Sequence, residues 1–330
     1  MLEELTARQE SRARQEPGAL EELAAHLEGS QGVLTRAAAK GLGVTPAQLR
    51  VLTRQHRLVH VGRGAYVDAA KLATQTPEGQ HALRARAIAA TLPDTVALSH
   101  HSAACLLDLP LVGTPPVRVH AARRAGGEHR RTTHYTIHTA YPRARSHKVE
   151  GVWLIEPAVV VLGVAALHGL TQAVVTGDAA LHAKLLGRED LKAVLDSCRY
   201  HPGVPTLRAA LPQLDPACES PGESKARMLL KLLGYAVRSQ VTIADEFGDW
   251  VARVDFLLEG HKVVIEFDGM TKYVDLDGSA DPKALRREKA REDRLRAQGY
   301  EVVRLVWSDL ASPERVRSLV EAAIRRADRG

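Results

Sequence analysis

Three acidic residues lie inside a stretch whose other residues are mostly apolar. The stretch RVDFLLEGHKVVIEFDG, Arg253–Gly269, reads as two β-strands joined by a short polar turn, and it contains Asp255, Glu266 and Asp268. Carboxylates on one face of a hairpin repel one another unless a cation lies between them. Oxygen ligands suit a hard divalent ion. The sequence therefore predicts a site for Mg²⁺ or Mn²⁺ at these three residues.

The register of the hairpin decides whether the acids meet. If Gly260 takes the first central position of a two-residue type II′ turn, counting back along both strands sets Asp255 opposite Glu266. The Cβ atoms of such opposed residues lie roughly 5 Å apart. Asp268 follows Glu266 by two residues and projects from the same face. The alternative is an edge hairpin that exposes its acids and pairs them with arginines of the following helix.

The elements around this hairpin must hold the acids in place. The pattern predicts, in order, a helix over Gly222–Leu233, strands around Ala236–Val241, Trp250–Leu258 and Lys262–Asp268, a helix over Pro282–Gln298, a strand over Glu301–Trp307 and a last helix over Pro313–Ala327. The expected order is α-β-β-β-α-β with a terminal helix.

This order, with VDF, EFDG and then REDRLRAQGYEVVRLVW, resembles the PD-(D/E)XK nuclease superfamily. Within it the chain is similar to the branch related to very-short-patch-repair endonucleases, over about the last 110 residues. The resemblance implies phosphodiester hydrolysis with Asp255 and Glu266 as metal ligands and Glu223 as the first-helix acid. The superfamily usually has lysine where this chain has Asp268, and Lys272 is the expected catalytic replacement.

A second activity is suggested by residues 31–70, because no Asp or Glu occurs from Gly32 to Tyr66. A helix stopped by Gly43, a second helix capped by Thr45, and two strands after it give the order of a winged helix-turn-helix. A surface of one charge sign on this fold suits DNA phosphates, whereas a winged helix used for protein contacts is the alternative. The residues expected to contact DNA are Arg36, Gln48, Arg50, Arg54, Arg57 and Arg63.

The middle of the chain, residues 71–215, is expected to mix helices with short strands, with helices over Pro157–Gly169 and Leu170–Leu186 among them. Its basic residues form either a second phosphate-contacting surface or ordinary solvated loops. The further candidates for DNA contacts are Arg123, Arg124, Arg130 and Arg131 here, and Arg287 and Arg291 in the last domain. We expect the histidines of this region to be helix-cap and surface residues rather than metal ligands, namely His100, His101 and His120.

The segments GVLTRAAAKGLGV, RLVHVGRGAYV and LSHHSAACLLDLPL resemble AbiEi-type antitoxins, over roughly residues 30–200. That family consists of transcriptional autorepressors. The resemblance makes repression the natural rival to nuclease activity, and it implies a setting in bacterial phage defence or a toxin–antitoxin system.

Composition limits the class of protein. The 330 residues are 45% hydrophobic and 25% charged, which is ordinary for globular domains. The three cysteines have no metal-ligand spacing and predict reduced thiols. The N-terminus does not read as a signal peptide, and no apolar run approaches the ~20 residues of a membrane helix. We expect a cytoplasmic protein with no membrane partner.

Taken together, the sequence predicts an α+β multidomain protein. The expected domains are an N-terminal helical segment (1–30), a winged helix-turn-helix (31–70), a mixed α/β middle domain (71–215) and a nuclease-like domain (220–330). The predicted function is that of a metal-dependent DNA endonuclease, with DNA and either a partner protein or a second copy of the chain as partners. The alternative is a repressor or antitoxin whose nuclease-like domain is inactive. A third reading, a sensor of a phage component, has no specific residue in its favour.

Overall fold

The computed structural model describes residues 18–113, 117–269 and 282–329. The described chain is mixed α/β with three sheets and divides into two compact units, which confirms the expected mixed multidomain class. The first unit takes in the described residues up to Leu167 together with Glu189–Leu207. The second takes in His168–Arg188 and the described residues from Arg208 onward.

The first unit begins with a small sheet and its helices. After a helix over residues 18–29 (α1) come β1 (Val33–Thr35), α2 (Arg36–Gly41), α3 (Pro46–Arg54), β2 (Leu58–Gly62) and β3 (Ala65–Asp68). The strand order is β1-β3-β2, and both pairings are antiparallel. Thr45 caps α3 as predicted, since its side chain accepts the Gln48 N–H while the Gln48 side chain accepts the Thr45 N–H.

A six-stranded sheet follows in the same unit. The elements are α4 (Ala69–Ala73), α5 (Pro77–Ala89), β4 (Val96–Leu98), α6 (His100–Leu106), β5 (Val119–Arg123), β6 (Arg130–Arg131), β7 (Tyr135–His138), β8 (Ser146–Val149) and β9 (Val152–Ile155). The strand order is β6-β7-β5-β4-β9-β8, with β5 parallel to β7 and β4 parallel to β9. Helix α6 is buried along its whole length and contacts α5 and β5.

Helix α7 (Pro157–His182) follows this sheet, and α8 (Arg188–Ser197) and α9 (Val204–Ala210) come next. Among the described helices α7 alone is long and apolar enough to cross a membrane, yet 67% of its apolar stretch is buried. Its helical geometry breaks at Gly169 (φ 77°, ψ −169°), where the sequence pattern ends one helix and begins another. Neither half reaches the ~20 residues that a bilayer requires, and burial of this kind is typical of a core helix.

The second unit contains the predicted α-β-β-β-α-β order. Its elements are α10 (Pro221–Leu232), β10 (Val237–Ala244), β11 (Trp250–Leu258), β12 (Val263–Phe267), α11 (Pro282–Ala297), β13 (Glu301–Leu305) and α12 (Pro313–Ala327), with short 3₁₀ helices at Leu211–Gln213 and Asp309–Ala311. The strands lie in the order β10-β11-β12-β13. Only the last pair, β12 with β13, is parallel, and the connection between them carries α11. Buried side chains of α10, β11, β12 and α12 fill the core on one side of this sheet.

A buried ion pair lies beside that core. Arg227 of α10 is 1% exposed, and its Nη2 donates to Asp178 Oδ2 at 2.9 Å. Its Nε donates to Cys218 Sγ at 3.3 Å, and the Asp215 N–H donates to Asp178 Oδ1 at 2.6 Å. Burial raises the pKa of the Cys218 thiol to about 11, so the sulfur is a neutral acceptor. The network joins the second half of α7, the segment before α10, and α10 itself.

Replacing Arg227 with methionine should lower the free energy of unfolding by about 3–5 kcal/mol, because Asp178 is left buried without its cation. Urea denaturation followed by circular dichroism measures the loss. The matched control is Arg296→Met, which removes an exposed ion pair with Glu292 at 2.6 Å and should cost less than about 1 kcal/mol. Equal losses in the two variants would show that the buried pair does not stabilise this unit.

Candidate functional site

The hairpin that carries the predicted acids has the predicted register. The cross-strand partners in β11 and β12 are Phe256 with Ile265 and Leu257 with Val264. The next position sets Asp255 opposite Glu266. The turn differs from the expected type, because His261 N–H donates to Leu258 O at 3.4 Å, which makes Leu258–His261 the four residues of the turn. Gly260, with φ 80°, is therefore the third residue of the turn, a position that requires a left-handed conformation in a type II turn.

Asp255 ends the pairing of β11 with β12. Its Oδ2 accepts the backbone N–H of Phe267 at 2.8 Å. The Asp255 carboxylate thus serves as the acceptor that a backbone carbonyl of the neighbouring strand would otherwise provide. Its Oδ1 lies 3.4 Å from Gln240 Nε2, and the same nitrogen donates to Glu223 Oε2 at 2.8 Å. Oxygens of Glu223 and Asp255 thus converge on a single amide nitrogen.

Gln240 itself has an unusual backbone conformation. Its φ is 52° although it lies within β10, and the pairing of β10 with β11 passes from Ser239 to Val241 without it. A left-handed non-glycine residue costs roughly 1–3 kcal/mol and persists only where its surroundings hold it. Here the distortion directs the amide toward Glu223 and Asp255. Sequence reasoning missed Gln240, because a glutamine in a strand pattern carries no signal of a left-handed conformation.

Glu223 reaches this point from the first turn of α10. Ser220 caps the helix by accepting the Glu223 N–H at 3.1 Å, and Glu223 Oε2 also accepts the Glu219 N–H at 2.9 Å. Glu223 is 7% exposed. The preceding residue, Gly222, is in such close contact with Phe267 that a Cβ at position 222 would overlap the aromatic ring. Glycine at this position lets the start of α10 approach β12.

Glu266 is held by an arginine of α11. Both of its oxygens lie 2.6 Å from Arg291 Nη2, and Glu266 is 8% exposed. Arg291 Nη1 also donates to the carbonyl of Arg253 at 3.2 Å. The predicted phosphate contact of Arg291 therefore competes with an ion pair inside the fold. Lys272 and the side chain of Arg287 lie outside the described residues.

The predicted acids do not form a three-ligand metal group in the part of the chain that the structure describes. Each has its own protein partners, which are Phe267 N–H and Gln240 for Asp255 and Arg291 for Glu266. The Asp268 N–H donates to Leu305 O at 2.8 Å, at the end of β13. Among these described residues, the one group of three His, Cys, Asp or Glu side chains with donor atoms within 4.8 Å of one another consists of His100, His120 and His138.

The expectation that His100, His101 and His120 are cap and surface residues is wrong. They are 1%, 4% and 8% exposed, because α6 begins inside the unit between α5 and β5. Ser99 precedes α6, but its Oγ contacts His100 Nδ1 at 2.9 Å instead of a backbone N–H. His138 was not singled out, since no regular spacing relates residues of α6, β5 and β7.

Most of the basic residues predicted to contact DNA are exposed. The exposed ones are Arg36, Arg50, Arg54, Arg57, Arg63, Arg130 and Arg131. Gln48 is half-buried and occupied in capping α3. Arg124 stacks 3.5 Å above the ring of Trp153 and donates to Asp94 O at 2.6 Å, while Arg123 Nε lies 3.5 Å from Glu128 O. Arg124 thus serves contacts within its own unit.

Comparison with known proteins gives distant relatives. No protein-family model matches the chain. Two proteins of Mycobacterium tuberculosis, the uncharacterized proteins MT2308 (strain CDC 1551 / Oshkosh) and Rv2248 (strain ATCC 25618 / H37Rv), are each 26% identical over 185 residues. The aligned segment covers 56% of this chain and 66% of each relative, just under two thirds of their length. The similarity indicates common ancestry with these proteins and leaves activity, substrate and partners to be proposed.

Alanine at position 222 should destabilise the second unit by about 1–3 kcal/mol, because the new Cβ overlaps Phe267 in a packed core. Thermal unfolding measures the loss, and it should shrink when Phe267 is also replaced by leucine. The control is Gly41→Ala at the end of α2, where a Cβ meets no atom within 4 Å and stability should be unchanged or slightly raised. A Gly222→Ala loss that Phe267→Leu leaves untouched would contradict this account of the contact.

Proposed function

We propose that the chain is a metal-dependent DNA endonuclease with a DNA-binding winged-helix module. The observation that carries the proposal is the convergence of Glu223 and Asp255 on the Gln240 amide, with Glu266 at the position across from Asp255. Buried acids are costly unless they are paired within the protein or bind a cation, and here three of them lie close together. The α-β-β-β-α-β order of the second unit agrees with what the PD-(D/E)XK resemblance implies.

The residues present fit a hard divalent cation such as Mg²⁺ or Mn²⁺. They offer only oxygen donors, and oxygens of Glu223 and Asp255 already converge on one atom, the Gln240 amide nitrogen. Asp255 and Glu266 would hold the ion, with Glu223 and Asp268 beside them. When bound, the ion lowers the pKa of a coordinated water and polarises the scissile phosphate.

The chain's own side chains would supply the remaining steps. Gln240 holds Glu223 and Asp255 at a fixed separation by donating to both. Arg291 balances the charge of Glu266 and would exchange this carboxylate for a phosphate oxygen as the DNA backbone enters. Lys272, outside the described residues, would orient the attacking water or stabilise charge that builds up on the phosphate.

Targeting to DNA is assigned to the winged helix. Arg50 and Arg54 are exposed on α3, and Arg63 is exposed between β2 and β3, at the tip of the wing. No acid occurs from Gly32 to Tyr66, so this surface attracts phosphate along its whole length. The proposed setting in phage defence or a toxin–antitoxin system follows from the AbiEi resemblance.

A repressor or antitoxin with an inactive nuclease-like domain is the second candidate. The observation in its favour is that Arg291 already contacts both oxygens of Glu266 at 2.6 Å. A carboxylate that is fully paired within the protein gives less to a metal ion. DNA binding is common to both candidates, so only cleavage separates them.

Alanine at Asp255 or Glu266 should abolish cleavage of supercoiled plasmid or single-stranded DNA in Mg²⁺ or Mn²⁺, since either change removes a ligand for the ion. Agarose gels with an EDTA control give the readout. Glu259→Ala removes an exposed acid from the turn of the same hairpin and should cut as well as the parent protein. Absence of metal-dependent cutting by the parent protein, with DNA binding intact, would favour the repressor.

Neutralising Arg50 and Arg54 together should weaken DNA binding. The slope of log K against log salt should become less negative by about 2, one unit for each lost phosphate contact. Fluorescence anisotropy at several salt concentrations measures both quantities. Arg317→Ala, on the exposed side of α12, is the control and should leave the slope unchanged. An unchanged slope in the double variant would remove α3 from the DNA interface.

A further inference from the structure

The first unit contains a histidine cluster that the nuclease proposal does not use. His100 begins α6, His120 lies in β5 and His138 ends β7, and one ring nitrogen of each lies within 4.8 Å of the other two. His120 Nδ1 and His138 Nε2 are 2.9 Å apart. We propose that these three histidines bind a divalent transition-metal ion, with Zn²⁺ as the best match to imidazole ligands.

The protonation of the cluster suits metal binding. Burial, followed by the neighbouring histidines, lowers the pKa of His100 well below its usual value. Burial and the nearby His129 and His201 lower the pKa of His138 to about 4. The rings of His100 and His138 are therefore neutral at neutral pH, and a neutral imidazole is the form that ligates metals.

Hydrogen bonds around His100 favour one tautomer of its ring. The Gly203 N–H donates to His201 Nδ1 at 3.1 Å, which puts the His201 proton on Nε2. That nitrogen and His100 Nε2 each lie 3.4 Å from the Tyr141 hydroxyl, while His100 Nδ1 lies 2.9 Å from Ser99 Oγ. Because the Tyr141 hydroxyl accepts the His201 Nε2–H, it donates its own proton to His100 Nε2, and His100 then carries its proton on Nδ1 toward Ser99 Oγ. Such outer partners commonly orient metal-bound histidines.

The backbone of this region is arranged to accept an imidazole. His100 has a left-handed φ of 52°, which is costly for a residue with a side chain. Gly163 of α7 faces it so closely that a Cβ there would lie 2.7 Å from His100 Cγ. Glycine at position 163 leaves the space that the His100 ring occupies.

Binding requires a small rearrangement of the rings. Two nitrogens on a tetrahedral ion stand about 3.3 Å apart, so His120 and His138 must separate slightly and both leave their facing nitrogens unprotonated. The rings of His100 and His138 are stacked at 4.1 Å, so the His100 ring must shift for its Nε2 to exchange the Tyr141 hydroxyl for the ion. A cavity of about 420 Å³, lined by His100, His138, Tyr141 and His201, adjoins the rings and admits a water as fourth ligand.

Cobalt and zinc titrations of untagged full-length protein, stripped with EDTA and desalted, test the proposal. Co²⁺ should bind at one equivalent per chain and give the visible absorption of a four-coordinate site, which Zn²⁺ then abolishes. His138→Gln and His120→Asn should weaken binding by more than the roughly 10–100-fold that a lost outer partner costs. His129→Gln is the matched control, because its exposed ring lies 5.5 Å from that of His138.

Circular dichroism confirms that each variant is folded before it is compared. Absence of four-coordinate Co²⁺ absorption in the parent protein would overturn the proposal without recourse to any variant, and would leave His120 and His138 as a hydrogen-bonded pair. Equal binding by His129→Gln, His138→Gln and the parent would also overturn it. Glu266→Ala should retain Zn²⁺ binding whether or not the chain cuts DNA, which keeps the two proposals separate.

Discussion

The arrangement of the second unit depends on the buried ion pair between Arg227 and Asp178. A guanidinium that is 1% exposed has lost its water, and its neighbours Asp178, Asp215 and Cys218 must replace those interactions. Its partners come from the second half of α7 and from the segment before α10, so the pair fixes α10 to both. Glu223 lies one turn earlier on α10, and its position follows from the same constraint.

The acids of the hairpin are also charges removed from water, and hydrogen-bond donors of the protein compensate for the lost hydration. Gln240 serves two carboxylates, Phe267 supplies a backbone N–H, and Arg291 neutralises Glu266. Each donor offsets part of the cost of burying carboxylate oxygens. The strained backbone of Gln240 shows that the arrangement is maintained at a cost in stability.

The histidine cluster of the first unit differs from the acids of the hairpin, because burial favours the neutral form of His100 and His138. Its rings lie close together, with His100 and His120 buried and His138 half-buried, and the lowered pKa values of His100 and His138 keep these two rings neutral. Neutral rings keep lone pairs, the form in which the proposed metal ion would bind them. In both clusters burial determines how charge is handled, by pairing for the carboxylates and by deprotonation for the imidazoles. The charge state in turn determines which ligands each cluster could bind.

The sequence by itself determined the features that depend on neighbouring residues. The spacing about a short turn set Asp255 opposite Glu266, Thr45 and Pro46 set the start of α3, and Gly169 ended one helix and began the next. Tertiary structure alone decided that Gln240 turns toward Glu223, that Arg291 pairs with Glu266, and that His100, His120 and His138 meet. Local periodicity records the face on which a residue lies. The packing of elements that are distant in sequence decides which faces come into contact. Residue spacing within one element carries no information about that packing.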